Sequence, residues 1–583
     1  MFHLRRQAVR SLRQRQLAQR YASTGPRSAG SGSGSSAGRV VPAVLGVAAV
    51  GLAAYALGRR EQANIDAKPA AAPTTVAAAT VASGSVNPAF DPNPKLRHRF
   101  GSPEDYAAAV DDLKGLFDDD HITTDEEDLA HHGGSAWTYG IALPPSAVVY
   151  PETTEDVVKI MKVATKYRVP VVPYGSGTGL EGQFSAPYGG ICVNMTKMNR
   201  ILALHPQDGD AVVQAGLGYE TLNAELAEKG IPLFLPLDPG PDATIGGMIG
   251  TGCSGTNSVR YGTARGEWFL NVTAVLPDGT VLKTRQRSRK SSAGPDMTKL
   301  FVGAEGTLGI ITEVTVRLAP LLPTRVGVVS FPSVRAAVDA VVDILNDGVQ
   351  VQCVELLDAL SVAALNHSGI MPNNLPEKDS IFFKFQGNPT VLENSAQTVQ
   401  DLAGRHGGGN IHFAADEKES AAIWAARKGA LFAALGHSGY ETPMLYGNDV
   451  CVPISALPEL VADSQAKFKE FGIYAPILGH VGDGNFHATI IMRGLDEVPM
   501  MSKVMSGIIK KAQELDGTCT GEHGVGMTKK KYLRDELGDG TLDLMLRIKN
   551  SVDPLGIMNP GKLYPDELMY EEVKWPPKAG SCC

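Results

Sequence analysis

The side chains best suited to chemistry lie towards the C-terminal end of this 583-residue chain. The stretch PILGHVGDGNFH sets His480 and His487 seven residues apart around an Asp483-Gly484 turn. On one continuous strand that odd spacing would send the two imidazoles to opposite faces, because side chains alternate. A turn between them lets them converge. Further on, Glu522-His523 stands among glycines in residues 517–526 and adds a carboxylate and another imidazole. Two neutral imidazoles and a carboxylate form a donor set for zinc or a similar divalent ion, with a position left open for substrate. A lone buried histidine is more commonly a hydrogen-bonded core residue, but this set reads as a metal site.

Three glycine-rich stretches offer a cradle for a larger anionic ligand. The first, PYGSGTGLEG over residues 173–182, can point successive backbone N–H groups at a pyrophosphate. Its Gly177, Gly179 and Gly182 satisfy GxGxxG, yet QFSAPYGGICVN follows where a Rossmann helix should start. No acid closes a strand about twenty residues on, so the context argues against NAD. The second stretch, LDPGPDATIGGMIGTGCSG over residues 237–255, runs on to Arg260-Tyr261-Gly262, and the third, GAEGTLGII, covers 303–311. Turns in a glycine-rich sheet protein would explain one such stretch, but not three with hydroxyl residues interleaved.

The elements that must hold these loops are legible as alternating strands and helices. A short strand is expected within 144–151, then a helix over 153–167 with Val157, Ile160, Met161, Ala164 and Tyr167 on one face. Thr153 or Thr154 can cap it, and Pro170 stops it ahead of a strand at 169–172. A strand at 312–318 follows the third loop. Beyond Pro320 and Pro323, strand 326–331, helix 334–346 and strand 381–386 read as an α+β cap.

The length implies at least two packed domains. Seven scattered cysteines without a CxxC pair suggest neither a disulfide scaffold nor a zinc ribbon. Residues 1–60 hold ten arginines and no Lys, Asp or Glu. The remainder has 44 basic against 62 acidic residues, a net of about −18, which speaks against nucleic-acid binding and suits a basic protein partner. Residues 1–27 read as a mitochondrial transit peptide. Residues 40–58 are uncharged, bounded by Arg39 and Arg59-Arg60, and about 28 Å long as a helix, enough for a single transmembrane anchor. The Arg-rich flank favours a matrix-side N-terminus, with the body in the intermembrane space. Residues 61–95, rich in Ala, Pro and Thr, read as a flexible linker.

Taken together, PYGSGTGLEG, DPGPDATIGGMIGTGCSGTNSVRYG, KSSAGPDMTKLFVGAEGTLGIITE, GHVGDGNFH, GEHGVG and NPGKLYP resemble the FAD-linked oxidases with a vanillyl-alcohol-oxidase (PCMH-type) flavin domain. The motif order and N-terminus are most similar to the branch of D-lactate dehydrogenases that use cytochrome c. The resemblance implies an α+β fold: a two-subdomain FAD-binding domain over 96–320, a substrate and metal-binding domain over 321–565, and a tail, 566–583. It implies FAD contacts from Tyr174, Gly175, Ser176, Gly177, Thr178, Gly179, Asp242, Thr244, Gly246, Gly247, Ser254, Tyr261, Glu305, Ile310 and Asn559. Because Ser176-Gly177-Thr178 lacks the histidine of covalent relatives, the FAD is expected to be non-covalent. The resemblance further assigns His480, His487 and Glu522 as metal ligands, with zinc expected, His523 as catalytic base, Arg427 as the arginine for the substrate carboxylate, and Asn485 as a substrate contact. A 2-hydroxy acid chelating such an ion loses its hydroxyl proton to the base more readily, and its hydride passes to the flavin. D-2-hydroxyglutarate dehydrogenases of the same family carry a hydroxyl and a lysine where this chain has Leu431 and Gly447. D-lactate is therefore the expected substrate and cytochrome c the expected acceptor, at the mitochondrial inner membrane.

Overall fold

The computed structural model describes residues 99–134, 143–441 and 443–570. The expected leader 1–27, anchor 40–58 and linker 61–95 lie outside the described residues, as do positions 571–583 of the expected tail. Among the described residues no helix is long and apolar enough to cross a membrane.

The first sheet runs in the order Ile122–Thr123, Ala147–Val149, Ile191–Asn194, Val171–Tyr174, and the last three strands are parallel. The helix Thr154–Tyr167 buries Val157, Ile160, Met161, Val163 and Ala164, while Thr153 and Asp156 close a capping box at its start. It ends in left-handed Arg168, φ 54°, and Val169 N–H still bonds Ala164 O. That extra turn displaces the expected 169–172 strand to Val171–Tyr174, whose last residue delivers the chain to the first glycine loop.

A second, antiparallel sheet has the order Ile201–His205, Asp210–Gln214, Ile310–Arg317, Phe269–Val275, Val281–Lys283. The second glycine stretch lies alongside it as a short helix, Ile245–Thr251, capped by Thr244. The C-terminal part is built on a seven-stranded sheet in the order His412–Phe413, Thr324–Ser330, Ser380–Gln386, Val351–Leu357, Ile477–Gly479, Asn485–Ala488, Val450–Cys451. Helices Val334–Asn346, Leu457–Phe471 and Val498–Glu514 bury their apolar residues in the same cluster as strand residues Val354, Phe383 and Ile477. The expected tail begins as a 3-10 helix, Asp566–Tyr570, tied by an ion pair from Lys530 to Asp566.

Candidate active site

Strands Ile477–Gly479 and Asn485–Ala488 pair antiparallel with Leu478 opposite His487. The turn between them closes through Gly484, φ +75°, where a Cβ would lie 2.0 Å from Val452 O. This geometry brings the His480 and His487 rings to 5.4 Å between centroids. Their Nε2 atoms lie 3.0 and 3.1 Å from the same oxygen, Glu522 Oε1. Burial works against a charge on Glu522, but the imidazoles, His480 foremost, hold its carboxyl well below the usual range. His480, His487 and Glu522 thus face one another with candidate ligand atoms within 4.8 Å of one another, a group that could hold a divalent ion.

His523 stacks on His487, and its Nδ1 is buried without a hydrogen-bond partner. Burial pushes the imidazole down to about 4, which leaves it neutral at physiological pH. The loop that presents Glu522 and His523 hangs on Asp449. Oδ2 of Asp449 accepts the backbone N–H groups of both residues at 2.8 Å, and the Thr520 hydroxyl at 2.8 Å. Its Oδ1 accepts Asn485 Nδ2 at 2.8 Å. Asn485 spends its other donor contact on Val450 O, so it packs beneath Gly521 and supports this loop, while its Oδ1 is buried and unpaired.

Arg427 comes from the last turn of helix Glu417–Lys428 and is buried. Nη2 donates to Glu355 Oε2, and Nε is left without a partner. Glu355 also receives His480 Nδ1, at 2.9 Å from Oε1. Arg427, Glu355, His480, Glu522 and His487 therefore form one connected chain.

The glycine loops converge on the same loop from the other side. At Gly175 a Cβ would meet Thr244 Oγ1 at 2.5 Å, so the first and second loops meet there without room for a side chain, while at Gly246 it would meet Ala215 Cβ at 2.9 Å, against the end of strand Asp210–Gln214. Thr244 Oγ1 accepts Gly247 N–H, and Asp242 stands exposed at φ 64°. Ser176 and Thr178 remain partly or fully exposed beside Gly177 and Gly179, while Tyr174 is buried against Phe184. The other residues expected near the flavin have protein partners as follows. Ser254 donates to Glu522 Oε2 at 2.6 Å, Tyr261 donates to Gln386 Oε1 at 2.7 Å, and the Ile310 side chain lies in the core around Val157 and Val275. Glu305, at φ 50°, turns its carboxylate to the Val525 and Gly526 N–H groups. Asn559 donates to Gln183 O and Glu305 O, leaving Oδ1 buried and unpaired.

Residues 145–285 match the FAD binding domain and 323–563 the C-terminal domain of FAD linked oxidases. The chain is 41% identical to the mitochondrial D-lactate dehydrogenase [cytochrome] of Arabidopsis thaliana, over 79% of this chain and 81% of that protein. It is 42% identical to a probable mitochondrial D-lactate dehydrogenase of Danio rerio, over 72% of this chain and 84% of that one. The chain belongs to this family of FAD-linked oxidases. The fold is also that of p-cresol methylhydroxylase, at TM-score 0.66 and 18% identity over 80% of this chain and 98% of that one. The protein is an FAD-dependent oxidoreductase with a PCMH-type flavin fold.

The residues fit the cofactor of the family. The side-chain-free Gly175, packed on Thr244 beside the partly exposed 175–179 backbone, gives room for a pyrophosphate to approach, and the buried Asn559 Oδ1 between two loops is unpaired. Several participants lay outside the sequence reading: Glu355, Asp449, Gln183, Glu181 and Lys529. Gln183 Nε2 donates to His523 O at 2.7 Å, and Lys529, itself buried, pairs with Glu181 at 3.1 Å. Asn448, buried beside Asp449 with both amide atoms unpaired, is another. A signal existed for Glu355, a single acid in the otherwise uncharged strand VQCVELL.

Proposed function

We propose that this enzyme oxidises D-lactate to pyruvate at a divalent-metal site, with zinc the expected ion, and passes the electrons to cytochrome c. The observation that carries the reading is the half-buried His523, its Nδ1 buried and unpaired, stacked on His487 beside the His480-His487-Glu522 group. When bound, FAD supplies the acceptor for the substrate's hydride and the metal a Lewis acid for its hydroxyl. Arg427 holds the substrate carboxylate through the edge that Glu355 leaves free. His523 takes the hydroxyl proton at its unpaired Nδ1. Burial of His480, Asp449 and Arg427 keeps bulk water from these groups. Leu431 and Gly447 supply no partner for a second carboxylate, which favours a small monocarboxylate.

The setting we propose is mitochondrial, as the names of both relatives suggest. The acid-free residues 1–27 serve as presequence and 40–58 as an inner-membrane anchor, with the acidic body in the intermembrane space to receive a basic cytochrome. The test is an anaerobic visible spectrum of the flavoprotein before and after D-lactate, with L-lactate and D-2-hydroxyglutarate as controls. Bleaching by D-lactate alone is expected. A flavin that stays oxidised with D-lactate but bleaches with the dicarboxylate would reassign the substrate.

A further inference from the structure

Glu355 stands between two of the residues described above, His480 and Arg427. It lies in the strand Val351–Leu357, flanked on its own face by the apolar side chains of Cys353 and Leu357, and is fully buried. The antiparallel ladder pairs Leu357 with Leu478 and Leu356 with Gly479. Carried one step further, that register sets Glu355 against position 480, where the strand has given way to the histidine turn. The register thus places Glu355 beside His480, and the side chains complete the contact.

The two oxygens of Glu355 are shared between two groups. Oε1 lies 2.9 Å and Oε2 3.0 Å from His480 Nδ1, while Oε2 also accepts Arg427 Nη2. Nε2 in turn faces Glu522 Oε1 at 3.0 Å, another group that only accepts. With a cation bound at Nε2, the one remaining ring proton of His480 would stand on Nδ1, where Glu355 accepts it. A carboxylate behind a ligating imidazole fixes its tautomer and ring plane and strengthens it as a donor. The same carboxylate fixes the guanidinium of Arg427, whose unpaired Nε is then the edge presented to an incoming anion.

We infer that Glu355 is a positioning residue that couples the metal ligand His480 to the substrate-carboxylate arginine Arg427. The inference rests on the metal and D-lactate reading given above. A purely structural alternative is that Glu355 only supplies the counter-charge needed to bury Arg427.

The alternatives part company in Glu355→Gln, which keeps size and shape but can accept from one partner only and turns an amide N–H towards the other. The holoenzyme, freed of metal by chelator and titrated with Zn²⁺ against a chromophoric competitor, is expected to bind Zn²⁺ about 10- to 100-fold more weakly in the variant. At saturating Zn²⁺, KM for D-lactate is expected to rise about tenfold while kcat stays within about threefold, the signature of lost positioning in the ground-state complex. Zn²⁺ affinity and KM equal to wild type would overturn the inference and leave the counter-charge alternative. Wild-type enzyme that takes up no Zn²⁺ sinks the metal reading and this inference with it. Should E355Q not fold, E355D carries the test: it retains the charge but is too short to serve both partners, so weaker Zn²⁺ binding supports the inference and unchanged binding refutes it.

Discussion

The His487 and His523 rings lie stacked, 4.8 Å apart at an interplanar angle of 12°. One faces Glu522 through Nε2 and the other keeps an unpaired Nδ1, so neighbouring imidazoles in nearly one orientation are given separate tasks. His523→Gln is expected to lower D-lactate turnover about 100- to 10,000-fold, the usual range for a lost general base. Zn²⁺ uptake and the oxidised flavin spectrum should stay at wild-type values. Loss of metal along with turnover would move His523 into the ligand set.

Asp449→Asn tests the anchor of that loop. The amide keeps one acceptor where the carboxylate serves two backbone N–H groups, Thr520 and Asn485, and it leaves Glu181 as the remaining carboxylate beside Lys529, which still donates to the residue-449 carbonyl. Removing one partner from a buried charge network costs about 3–5 kcal/mol. A lower Tm with weakened Zn²⁺ binding is expected in thermal scans and metal titrations. A variant with wild-type Tm would show that the loop holds itself.

Glu305 gives a pH signature. Burial pushes its carboxyl up to about 7, despite the N–H bonds from Val525 and Gly526. A raised folded-state value means that the native form holds a proton the unfolded chain has lost, so its contribution is complete below the usual carboxylate range and erodes as pH rises through about 7. Denaturant unfolding at several pH values between about 5 and 7.5 should show stability falling with pH in wild type and a flatter profile in Glu305→Gln. Equal slopes would remove Glu305 as the source.

At Gly526, φ is +51° and a Cβ would lie 2.0 Å from Glu181 O. Gly526→Ala is expected to cost about 1–3 kcal/mol through backbone strain, with more from the displaced loop. Because the same loop touches Glu305 and Gln183, the ratio of bound flavin to protein should fall with Tm. Wild-type flavin content at a lowered Tm would separate loop packing from cofactor binding.

The helix Thr154–Tyr167 could be read from its apolar spacing and cap because both are local. The pair His480 and His487 was legible for the same reason, the turn between them being written in Asp483-Gly484. Glu355 and Asp449 were not. Their partners stand 125 and 74 residues away, and an acid in an apolar strand looks like an interruption until its partner is known. The resemblance implies flavin contacts at Glu305 and Ser254, and the carboxylate and hydroxyl also hold the Glu522-His523 loop, which no local pattern announces. Loop composition marks where a backbone can approach a ligand, but it does not say which way a neighbouring side chain turns.

The bonds that grip the catalytic loop also set an order of events. Gln183 reaches His523 across 340 residues, Thr528 reaches Glu181 across 347, and Asn559 reaches Gln183 across 376. Contacts of such separation close late in folding, after local helices and hairpins have formed. The flavin domain shares this order: Val171 N–H bonds Ile557 O and Asn559 N–H bonds Val171 O, so a chain still being synthesised completes neither this domain nor the Glu522-His523 loop until its last segment has docked.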